Sequence, residues 1–128
     1  MKYLLAWMLL LASPAWAEWS PFGETANGDK YYLDLTTFRK DGGFIRIWEL
    51  RNFSQKREFA KTQGVLSTRY RTEWDCKNER MRYLTMSAHS ELDARGEVLN
   101  QDQQESRWHD VAPSTLLAEK LKLFCKYQ

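Results

Sequence analysis

Glu73 and Asp75 stand two residues apart, and two carboxylates at that spacing share one face of an extended strand. In a cleft they could divide general-acid and general-base roles. Their neighbours give a plainer account. Arg69 and Arg71 lie on the same face, with Arg82 facing it from the next strand, so ordinary cross-strand charge pairing explains both acids without a substrate. The two histidines, His89 and His109, are far apart in sequence and outside any H-E-x-x-H spacing, and they read as surface residues. There is no G-x-S-x-G elbow and no glycine-rich phosphate loop. The expectation is a non-enzymatic protein with no catalytic residue, no metal ligand set and no cofactor.

Basic residues interleaved with aromatics offer a different chemistry. Arg69 and Arg71 fall on the strand face expected to be wet, and Phe53, Lys56, Arg57, Phe59 and Lys61 lie in the segment before it. Such a patch suits an acidic or sulfated surface, or a protein partner. Solubilising charge is the equally weighted alternative. The candidate binding residues are therefore Arg69, Arg71, Lys56, Arg57 and Lys61.

These side chains depend on one hairpin, residues 64–91. Leu66, Thr68, Tyr70, Thr72, Trp74 and Cys76 alternate onto one face, and Ser67, Arg69, Arg71, Glu73 and Asp75 onto the other, as in a strand covered on one side and wet on the other. Lys77-Asn78-Glu79-Arg80 is a polar four-residue break. With that loop, Trp74 should face Tyr83, Thr72 should face Thr85 and Asp75 should face Arg82.

The first residues read as a leader. Met1-Lys2 is a short basic start, Tyr3 to Leu11 is apolar, and Ala15-Trp16-Ala17 ends in the small-x-small pattern of a secretory cleavage site. A membrane anchor is the rival reading, but the apolar run is shorter than the roughly 18–20 residues a spanning helix needs, and Pro14 interrupts it. Cleavage after residue 17 leaves Glu18 first, with no cysteine there to accept a lipid. The mature chain is expected to be exported, periplasmic or extracellular, without a lipid anchor or a transmembrane segment. Removing Lys2 and no acid lowers the formal charge from +2 to +1, so neither field nor compartment suits a nucleic-acid binder.

Two cysteines in an exported chain, Cys76 and Cys125, can form one intramolecular disulfide, with two buried free thiols as the alternative. Along the rest of the chain, residues 18–24 read as a first strand with Pro21 at an edge, and Asn27-Gly28 as a hairpin turn into a second strand at 30–35. Residues 44–50 carry apolar side chains on both faces, as a central strand does. Residues 52–63 form a polar excursion, and 97–100 a short strand. Ser114 can cap a final helix whose stripe is Leu117, Leu121, Phe124 and Cys125, with Glu119, Lys120, Lys122 and Lys126 turned away. The expected architecture is α+β: an antiparallel meander of about five or six strands with a C-terminal helix packed on one face and tethered by the disulfide.

Tyr31-Tyr32-Leu33-Asp34, the strand with Trp48, Trp74-Asp75-Cys76, Arg80-Met81-Arg82-Tyr83, Trp108, Val111-Ala112-Pro113-Ser114 and the terminal Cys125, in that order, resemble the surface-adhesin protein E family of proteobacterial exported proteins. The resemblance covers nearly all of residues 18–128, following a signal peptide at 1–17. It implies an antiparallel sheet with a disulfide-tethered helix, and non-enzymatic binding of host extracellular-matrix or plasma proteins. An accessory domain of the periplasm with the same fold and no host ligand is the other reading, and a homodimer is compatible with either.

Overall fold

A computed structural model describes residues 17–55 and 58–126, with side chains omitted for 58–60. The expected leader, Lys56 and Arg57 thus lie outside the described residues, apart from Ala17. Strands β1 (Ser20–Glu24), β2 (Lys30–Asp41), β3 (Phe44–Asn52), β4 (Ser67–Asp75), β5 (Arg80–His89) and β6 (Val98–Asp102) pair in that order, all antiparallel. A two-residue strand, β7 (His109–Asp110), pairs with the opposite end of β5 from β6. Helix α1 (Glu58–Gln63) fills the polar excursion, and α2 (Leu116–Lys126) ends the fold. The α+β meander is as expected, with the sheet one strand larger because the irregular stretch after β6 returns to β5.

Turn chemistry fixes the first hairpin. Gly28 holds φ at +89°, and an added Cβ there would lie 3.2 Å from Ser54, so both conformation and space select glycine. At the other end of the sheet, the β4–β5 loop differs from the sequence reading. Asp75 pairs with Arg80, Trp74 with Met81, Glu73 with Arg82 and Thr72 with Tyr83. The loop starts one residue early because the Asp75 carboxylate accepts hydrogen bonds from the Asn78 backbone N–H and side-chain amide, closing a turn over residues 76–79. A bulge then shifts the register between Arg71 and Thr72, so that Arg71, not Thr72, faces Thr85.

The covered face is the expected one. Leu33, Ile45, Ile47, Trp74, Met81 and Phe124 form its core, with Trp74 and Phe124 edge to face at 5.1 Å. Each such aliphatic or aromatic side chain is worth about 1.5–3 kcal/mol when fully buried. Cys76 and Cys125 are joined, with Cα atoms 5.8 Å apart, so α2 is stapled across β4 and β5. Two details of α2 are corrected. Its cap is Thr115, whose Oγ1 accepts the Ala118 N–H, while Ser114 lies outside the helix at φ +62°. Lys120 points into the core instead of away, because position 120 lies three residues after Leu117 and four before Phe124, inside the apolar stripe.

The face expected to be wet is also covered. Ser67, Glu73 and Asp75 are buried there, as are Leu50 and Asn52 of β3, which is central with both sides packed. A single 3₁₀ turn, Leu92–Ala94, folds over one end of this face, where Asn52 and Asp93 exchange hydrogen bonds of 2.9 and 3.0 Å. Trp108 covers the other end.

Candidate functional site

On the helix side, one charge pair is built into the core. Lys120 Nζ lies 2.7 Å from Glu49 Oε1 with both side chains almost fully buried, a contact of charge more than of aligned hydrogen bonding. Glu49 Oε2 accepts the Thr72 hydroxyl, and Thr72 Oγ1 accepts the Trp74 indole N–H at 2.8 Å. The ammonium also sits 4.8 Å from the Tyr31 ring centroid and within about 6 Å of Phe22 and Tyr70. Burial, with the Glu49 charge adding to it, raises the pKa of Tyr70 well above 10 and that of Tyr83 in the same direction. A cavity of about 450 Å³ lies alongside, lined mainly by Tyr31, Phe53, Tyr70, Tyr83 and Met86. Here the two opposite charges satisfy one another, which is a structural use.

On the other side, Glu73 accepts Arg46 Nε at 2.7 Å and Arg82 Nε at 2.8 Å, one on each oxygen. Asp75 accepts Arg80 Nε and Asn78 Nδ2, both at 2.9 Å. Trp108 roofs the cluster, with the Arg80 and Arg82 guanidinium carbons 4.5 and 4.6 Å from its centroid and Phe44 against it at 5.9 Å. Burial raises the pKa of each carboxyl, but hydrogen bonds from the arginines and Asn78 outweigh it and leave both below their ordinary values. Ionised, enclosed and bonded to cations, neither is poised to donate a proton. The two acids do share a face, and their surroundings fix them as structural.

Both histidines differ from the surface reading. His89 is buried, its Nε2 2.8 Å from Ser87 Oγ, and its pKa is lowered by burial and by the Arg69 charge. His109 is half-buried, with its ring 6.3 Å from that of Tyr83. Among the described residues, no three His, Cys, Asp or Glu side chains converge as metal ligands.

Of the five basic candidates, three lie among the described residues. Arg69 and Arg71 share a strand face, Lys61 is exposed on α1 and does not line the recess beside Arg69, and Lys56 and Arg57 are outside the description. The two strand arginines differ from their neighbours in one respect. Arg46, Arg51, Arg80 and Arg82 each hold a carboxylate, whereas Arg69 and Arg71 hold none among the described residues. Arg69 instead lies over Trp48, its guanidinium carbon 4.0 Å from the ring centroid, and its Nε is buried without a hydrogen-bond partner. It is thus half-buried and packed, not a free surface cation. It lines a recess of about 440 Å³ with Trp19, Tyr32, Asp93 and Arg95. Sequence reasoning missed the aromatic partners Trp19, Tyr32 and Trp48. The available signal was Trp48 itself, alternating onto the face away from Ile45 and Ile47, opposite Arg71 in the β3–β4 register.

A model of the family described as surface-adhesin protein E matches residues 19–126. No curated protein matches the sequence. Among solved structures, crystal form II of Haemophilus influenzae protein E superposes with a TM-score of 0.64 at 17% identity, covering 91% of this chain and 95% of that one. The selenomethionine form gives 0.63 at 17%, covering 91% and 93%. Protein E from non-typeable Haemophilus influenzae gives 0.59 at 16%, covering 91% and 82%. At these identities the likeness is one of fold.

Proposed function

The chain belongs to the surface-adhesin protein E family, a family of adhesins and not of enzymes, and we propose that it is a binding module whose contact face is the side of the sheet opposite α2, around Arg69 and Arg71. The observation that supports this reading is a contrast among arginines: those around Glu73, Asp75 and Asp29 are neutralised within the fold, while Arg69 and Arg71 hold no carboxylate among the described residues, which leaves their charge available to a partner. A host matrix or plasma protein, or an acidic or sulfated polymer on a host surface, is the partner such a face suits. None of the described helices is long and apolar enough to cross a membrane.

Charge reversal tests the assignment. The double variant R69E/R71E should bind immobilised heparin and matrix proteins at least tenfold more weakly by surface plasmon resonance, while K61E changes binding less than twofold. Wild-type affinity in the double variant, with loss in K61E, would move the contact to α1. A second reading is an accessory domain of the same fold retained in the periplasm, with no host ligand. Fractionation of native cells into periplasm, outer membrane and medium separates the two.

A further inference from the structure

The recess beside Arg69 is more specific than a field of positive charge. Its about 440 Å³, with Ala17 of the expected leader in part of its lining, falls within the roughly 300–1,000 Å³ typical of small-ligand pockets. Trp19 and Tyr32 contribute aromatic surface to its lining, and Trp48 supports the Arg69 guanidinium from beneath. Asp93, the acid in the lining, has its Oδ1 held by the Asn52 side-chain amide at 2.9 Å. Arg69, without a carboxylate among the described residues and set beside two aromatic side chains in a recess that Arg95 also lines, calls for a ligand that is negative at one point and offers a C–H or ring face elsewhere. Inorganic sulfate supplies the charge and leaves the aromatic surface uncovered. A glutamate side chain supplies the charge with little to pack on two rings.

We propose that this recess binds a single anionic sugar residue, carboxylated or sulfated, with Arg69 holding the anion and Trp19 and Tyr32 packing against the sugar ring. The inference rests on the reading of the Arg69 side as the contact face and narrows it from a charged surface to one saccharide unit. An anionic sugar of this kind could come from a sulfated glycosaminoglycan or from a carboxylated glycan end.

Tryptophan fluorescence titration of the wild-type protein tests it with defined probes: a sulfated heparin disaccharide, a hyaluronan tetrasaccharide, free sialic acid, neutral chitobiose, sodium sulfate and a short oligoglutamate. Saturable binding is expected for at least one acidic saccharide, at least tenfold tighter than for chitobiose, sulfate or oligoglutamate. The preferred probe tells sulfated from carboxylated sources. R69Q, which keeps much of the side chain and removes the charge, should lose at least tenfold for that sugar. W19A, altered near the start of an edge strand, should lose the short sugar while retaining most of the affinity for long heparin. Sulfate or oligoglutamate binding as tightly as any sugar would overturn the proposal, as would W19A binding the sugar like wild type in a protein whose melting temperature is unchanged. Absence of short-sugar binding alongside a heparin loss in R69E/R71E would refute the saccharide site and leave the contact face standing. Sugar binding lost in R69Q, with matrix-protein binding unaltered in R69E/R71E, would do the reverse.

Discussion

The two faces of the sheet are buried by different means. Beneath α2, cover comes from Ile45, Ile47, Trp74 and Phe124, with one enclosed ion pair and a disulfide holding the lid. Across the sheet from α2, Glu73 and Asp75 are shielded by arginine stems and the Trp108 ring. An apolar cover has no charge left over once it closes. A cover of arginines and aromatics can carry more cations than acids, and at Arg69 and Arg71 it does. On the proposed reading, stability and recognition fall on opposite sides of the same strands, because neighbouring residues of β4 point to opposite faces.

The comparison can be broken hardest at Lys120. K120A leaves the Glu49 carboxylate buried without its cation and should cost about 3–5 kcal/mol in urea unfolding, whereas E49Q/K120M, which removes both charges, should recover a large part of that. A K120A variant within 1 kcal/mol of wild type (about fivefold in the unfolding constant) would show that the pair is not enclosed.

Next in size is the staple. Reduction, or C125S, should cost about 2–5 kcal/mol and free α2, shifting Trp74 emission to the red as Phe124 leaves its ring. Unreduced, unfolded protein should show no free thiol. Stability unchanged by reductant would mean that apolar packing alone holds the helix.

The smallest effect, and the one that sharpens the contrast, is pH. His89, Glu73 and Asp75 all lie on the side opposite α2, and all three titrate below their ordinary values. A depressed pKa means that the unfolded chain binds protons first, so each contribution is complete above the unfolded value and is lost as pH falls through the folded one. Stability should decline first below pH 6.5, from His89, and again below 4.5 and 3.8, from Glu73 and Asp75. Urea midpoints against pH should show both stages in wild type and only the lower one in H89Q. An upper stage that persists in H89Q would place the titrating group elsewhere.

Local pattern made most of the fold legible. Alternation placed Tyr70, Thr72 and Trp74 under cover, and the stripe through Leu117, Leu121 and Phe124 brought Cys125 to Cys76. What stayed hidden depended on distant chain. Glu73 looked wet because nothing near it in sequence reveals that Trp108, more than thirty residues on, roofs its arginines. The β4–β5 pairing moved because Asp75 closes its own turn, a choice set by side-chain hydrogen bonds that alternation does not encode. Of the candidate site, Arg69 and Arg71 were visible as cations on a strand face, but the sequence put them beside Glu73 and Asp75 as partners, whereas Arg46, Arg80 and Arg82 take that place. The aromatic half was not visible, since Trp19 and Tyr32 reach Arg69 only through the register of β1 to β4.

The Cys76–Cys125 link also sets how the domain answers to pulling. Tension entering before Cys76 and leaving after Cys125 crosses from one cysteine to the other through sulfur, so the 49 residue steps between them stay slack. At roughly 3.4 Å per extended residue, about 170 Å of chain is withheld from stretching. Such a load would then unravel β1 to β4, while β5, β6, β7 and α2 remain a closed ring.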